Sequence, residues 1–79
     1  MLFSFLLDNK DRGKLFGVGG DTINYVRNQF NCKEIIVHDN NILTINNENT
    51  HIIKAIILEI EIIIGKKLNN PQIQTNKQI

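Results

Sequence analysis

An α+β fold, with a three-stranded antiparallel sheet and three helices packed on one of its faces, is what the residue pattern predicts. Three observations carry that prediction. Two β-branched runs, Glu34-Ile35-Ile36-Val37-His38 and Ile42-Leu43-Thr44-Ile45, flank Asp39-Asn40-Asn41, the composition of a tight hairpin turn. A broad stripe of Ile52, Ile53, Ile56, Ile57, Ile60, Ile63 and Ile64 recurs at helical spacing. Between them and the N-terminus, Gly17-Val18-Gly19-Gly20 breaks the chain between two short helical patterns.

The elements follow in order. Leu2-Phe3-Ser4-Phe5-Leu6-Leu7 is rich in strand formers and stops at Asp8-Asn9, which predicts a first strand. Lys10 to Phe16 reads as a short helix with Leu15 and Phe16 at its apolar end. After the glycine break, Asp21-Thr22 supplies a helix start, and Ile23, Val26 and Phe30 share one face of a helix over 21–30. Asn31, which tolerates the left-handed conformation, is its expected stop. The hairpin then leads through a loop at 46–49 to a last helix capped at Asn49-Thr50. Gly65 ends it, and Lys66 and Lys67 suit its C-terminal dipole. The expected element order is strand, helix, glycine turn, helix, strand, strand, helix. One domain over 1–65 and a flexible polar tail over 66–79 are expected, with no internal repeat.

Composition narrows the function classes. A chain of 79 residues has room for one core, marginal unless partners or ligands support it. Cys32 is the only cysteine, so no internal disulfide forms; an intracellular setting and a buried, inert thiol are expected. Glu59 and Glu61 interrupt the longest apolar run before it reaches the roughly 18 residues a membrane span needs, so no membrane association is expected. The run from Met1 to Leu7 is too short and too poor in basic residues for a signal peptide. Abundant Ile and Asn with no Trp fit an AT-rich coding sequence, as in some bacteria and organelles.

Catalytic chemistry finds no constellation. His38 and His51 have no Cys or carboxylate at ligand spacing, so no metal site or cofactor is expected. Glu59 and Glu61, two apart on a helix, point to different faces. Ser4 has no base beside it, and no phosphate-binding lysine motif is present.

The glycine turn is the feature that suggests binding. A Gly-x-x-Gly segment lays backbone N–H groups against a phosphate with no side chain in the way. In its context, Gly13-Lys14-Leu15-Phe16-Gly17-Val18-Gly19-Gly20-Asp21-Thr22-Ile23 resembles the core pattern of the type I K-homology (KH) RNA-binding family, and the element order over residues 2 to 65 resembles that fold. Within the family the stretch looks closest to the KH domain of polynucleotide phosphorylase.

The resemblance implies a groove for about four single-stranded nucleotides, clamped by the GxxG backbone and lined by apolar residues. It would place Gly17, Val18, Gly19 and Gly20 on the sugar-phosphate backbone, with Gly13 keeping the first helix thin beside a nucleotide. Ile23, Asn24, Arg27, Ile35, Ile36 and Val37 would flank or floor the groove. The family usually carries a cation inside GxxG, where this chain has Val18 and Gly19, and Asp21 adds a carboxylate beside the loop. With a net charge of only +1, this predicts modest affinity and a shallow salt dependence, with Lys10, Arg12, Lys14 and Arg27 as neighbouring cations. A single Tyr and core-like Phe positions argue against an aromatic stacking platform, leaving aliphatic packing and backbone hydrogen bonds for base readout.

Single-stranded RNA, bound without catalysis within a ribonucleoprotein or RNA-processing assembly, is the expected ligand. The alternative is a structural subunit that keeps the fold and docks through its Ile-rich last helix, whose Leu58 and Ile62 fall outside the main stripe.

Overall fold

The computed structural model describes residues 1–68 and 72–74. Its elements are β1 (Leu2–Leu6), α1 (Asn9–Phe16), a single 3₁₀ turn at Val18–Gly20, α2 (Asp21–Phe30), β2 (Ile35–Val37), β3 (Ile42–Asn46), α3 (Thr50–Ile64) and β4 (Gln72–Gln74). Up to α3 this is the β-α-α-β-β-α order and the type I KH fold that the sequence predicts. The sheet runs β2-β3-β1-β4, and every neighbouring pair is antiparallel.

Local chemistry sets the boundaries. Asp8 caps α1 by accepting a 2.7 Å bond from the Asp11 amide. The helix ends where Gly17 donates to the Gly13 carbonyl. Asn31 closes α2 at φ 50°, with Cys32 donating back to the Arg27 carbonyl, a left-handed stop of the expected kind. Asn49 caps α3 through the amides of His51 and Ile52, and Gly65 terminates it at φ 80°. In the hairpin, Asn41 at φ 67° turns the chain between His38 and Ile42, which pair directly.

The core lies between the sheet and the helices. Pleating sends Phe3, Phe5, Ile35, Val37, Leu43 and Ile45 to one face, where they meet Leu15, Ile23 and Val26 of the first two helices. Ile53, Ile56, Ile60 and Ile64 close it from α3. Ile52, Ile57 and Ile63, from the same stripe, sit half-buried at its margins. Cys32 is buried.

One buried carboxylate belongs to the framework. Asp11 faces inward from α1 and is met by Lys66 Nζ at 2.7 Å, which also reaches Asp8 at 3.2 Å. These pairs clasp the end of α3 to the start of α1. Lys66 thus serves the Asp8–Asp11 pair, while Lys14 takes the place at the α3 dipole, its Nζ donating to the Ile64 carbonyl.

The C-terminal segment differs from the polar tail expected over 66–79. Gln72–Gln74 pairs with the outer edge of β1, in register Leu2 with Gln74 and Ser4 with Gln72. Backbone hydrogen bonds drive such pairing, so a short polar strand leaves no apolar period to read. Positions 69–71 and 75–79 of that tail lie outside the described residues.

Candidate nucleic-acid interface

Three neighbouring elements, taken as the walls of the groove expected from the sequence, carry the predicted residues that lie outside the glycine turn. The first is the outer side of α1, with Arg12, Gly13 and Phe16. The second is the α2 row of Gly20, Asn24 and Arg27, spaced four and three apart on one helical face. The third is the free edge of β2, the outermost strand of the sheet.

The turn between the first two walls depends on glycine. Gly17 has φ 78°, and a Cβ there would lie 2.3 Å from Thr22 Oγ1 and 2.8 Å from its backbone nitrogen. No other residue fits that position. Gly19 and Gly20 are also left-handed, at φ 62° and 82°. Val18 between them is 87% exposed.

The turn presents donors outward. Gly20 donates to the Gly17 carbonyl at 3.4 Å and Asp21 donates to that of Val18, but the amides of Val18 and Gly19 find no acceptor among the described residues. Gly20 is the N-cap of α2 and brings no side chain to its first amides. Two backbone N–H groups without an acceptor and the positive end of a ten-residue helix thus lie within three residues of one another. Asp21 stands exposed at the start of α2, one residue past the turn.

Two arginines tie the helices to opposite ends of β2. Arg27 Nε donates to the Ile35 carbonyl at 2.8 Å, and its Nη1 donates to Asn24 Oδ1 at 2.7 Å. Arg12 reaches the other end, with Nε 3.4 Å from the His38 carbonyl and Nη2 3.7 Å from Asp39 Oδ1. Strand geometry separates those ends by about 10 Å. Between them, the pairing of Glu34 with Asn46 and His38 with Ile42 turns the N–H and C=O of Val37 away from β3. The ladder so leaves a donor and an acceptor of the strand edge unpaired with β3.

Not every predicted residue joins this arrangement. Ile23 and Ile35 are buried beneath the cleft and support it from the core. Ile36 points its side chain to the opposite face of the sheet, because its neighbours in β2 point inward. Lys14 lies on the α3 side of α1, held at the Ile64 carbonyl. Gly13 does stand on the first wall, where a Cβ would meet nothing within 4 Å.

Phe16 ends α1 as the sequence predicts, but it does not take the core-like position expected of the Phe residues. It is 39% exposed, with its Cζ 3.5 Å from where a Cβ on Gly20 would lie and the Arg12 guanidinium over its ring. The signal available was the i, i+4 spacing of Arg12 and Phe16, which puts both on the face opposite Asp11 and Lys14.

Comparison with known families decides the assignment. The profile of the KH domain family matches residues 3–62, three quarters of the chain. This chain belongs to the KH domain family. The KH domain is a non-catalytic fold that binds RNA, and the match spans β1, the glycine turn, the β2 edge and most of α3. No curated protein is similar enough to count as a relative.

Proposed function

We propose that this KH domain binds single-stranded RNA in the cleft between the Gly17–Gly20 turn and the β2 edge, without catalysis. The observation that carries this reading is the pair of Val18 and Gly19 amides, without an acceptor among the described residues, just before the uncapped start of α2. A phosphate set there would meet backbone donors only, since the turn lacks a cation. Arg27 spends its guanidinium on Ile35 and Asn24, so its part is to hold the cleft open at a fixed width. A holding module of this kind suits a subunit or accessory factor of a ribonucleoprotein or RNA-processing assembly. We read the Gly19-Gly20-Asp21-Thr22-Ile23 run as resembling that of polynucleotide phosphorylase, and propose RNA processing as the setting on that resemblance alone.

The test replaces Val18 and Gly19 by Asp and follows anisotropy of a labelled single-stranded RNA at two salt concentrations. Asp tolerates the left-handed Gly19 position, and both sites face solvent, so the double variant should fold. Loss of binding with an unchanged circular dichroism spectrum supports the reading. Binding equal to that of the parent defeats it.

A second reading has its own observation. Leu58 and Ile62, one turn apart on α3, are 61% and 74% exposed. They give the outer face of α3 an apolar patch suited to docking on another protein subunit. A chain that sediments as a monomer at high concentration would remove self-association from that reading.

A further inference from the structure

Phe16 ends α1 directly before the turn whose Val18 and Gly19 amides have no acceptor among the described residues, and its partly exposed ring lies beside Gly20. Above the ring, the Arg12 guanidinium carbon stands 6.0 Å from the ring centroid. That gap is wide for direct contact and narrow for a base. Two stacking distances of about 3.4 Å, the rise per nucleotide along a stacked strand, need about 7 Å. Arg12 has the freedom to yield the difference: its tethers to His38 and Asp39 measure 3.4 and 3.7 Å, beyond the range of strong hydrogen bonds, and Asp39 is fully exposed.

We infer that Phe16 and Arg12 form a slot that takes one base, stacked between the phenyl ring and the guanidinium plane. The inference rests on the RNA-binding reading above and adds to it an aromatic contact. A nucleotide whose phosphate meets the Val18 and Gly19 amides has its base within reach of the adjoining Phe16. Every base has a π-face, so the slot adds affinity with little sequence preference. Guanidinium planes and aromatic rings both stack on unpaired bases.

The experiment uses short adenine-rich single-stranded RNAs carrying 2-aminopurine at each position in turn. One position should be strongly quenched on binding the wild-type chain, and Phe16→Leu should remove that quenching and weaken binding about tenfold. Phe16→Tyr should keep both, which guards against a Leu variant that folds poorly. Arg12→Gln should weaken binding a few-fold. Binding with no quenched position, or a folded Phe16→Leu chain that binds as tightly as wild type, overturns the slot and leaves the RNA-binding reading standing. No binding by the wild-type chain overturns both.

Discussion

Arg27 Nε donates to the Ile35 carbonyl at 2.8 Å, joining α2 to the free edge of β2. The contact uses a carbonyl that the ladder leaves unpaired, and Asn24 orients the same guanidinium from one turn away. Arg27→Met should therefore destabilise the fold by at least about 1.5 kcal/mol, the low end of the range for a hydrogen bond to a charged group. Urea denaturation reads this directly. RNA affinity should fall while the salt slope changes by less than one phosphate contact, because the lost role is positional.

Gly17 and Gly19 separate backbone need from chemical need. Gly17→Ala combines a left-handed conformation with overlap on Thr22 and should cost more than about 2 kcal/mol. Gly19→Ala has only the conformational cost, about 1 kcal/mol, and Gly19→Asn less, since its Cβ meets open space. Thermal unfolding of the three variants should rank them in that order.

Val18 is where a cation can be added without disturbing the fold. It is 87% exposed and flanked by outward amides. Val18→Lys should tighten single-stranded RNA binding and steepen the slope of log K against log salt by about 0.7. An unchanged slope would mean that the phosphate lies elsewhere.

Stability should hold a plateau across neutral pH and fall at both ends. The Asp11 amide, and then Lys66, hold Asp8 below the usual carboxylate value of 3.8. A group depressed in the folded state stabilises above its unfolded pKa, so this contribution is lost as pH falls below about 4. Hydrogen bonds to Asp11, then Asp8, raise Lys66 above 10.5. A raised ammonium stabilises below its unfolded pKa, so its contribution is lost as pH climbs past about 10.5. Melting temperature against pH should show both shoulders, and Lys66→Met should flatten the alkaline one.

The helices were legible because each carries its own period and caps: Asn49 and Gly65 bound the isoleucine stripe of α3, and Asn31 stops α2. The hairpin was legible from its β-branched runs and Asn-rich turn. The candidate site was legible where it depends on backbone, at Gly17 to Gly20. It was less so where it depends on direction. Lys14 and Arg12 are alike as residues, but one turns to the Ile64 carbonyl and the other to His38, across a helix whose exposed sides look equally polar in sequence. Ile36 reads like its neighbours until pleating sends it to the far face. β4 left no trace, since backbone pairing needs no apolar pattern.

By itself, the sequence determined the element order through α3, the type I KH class and the glycine turn, because caps, periods and left-handed positions are local properties of the chain. Only the tertiary structure decided which way Arg12 and Lys14 turn, that Phe16 is partly exposed beside the turn, and that Arg27 anchors on β2 while Arg12 reaches the residues just after it. Those outcomes depend on contacts between residues far apart in sequence, such as Arg12 with His38 and Lys14 with Ile64, and local propensity carries no record of them.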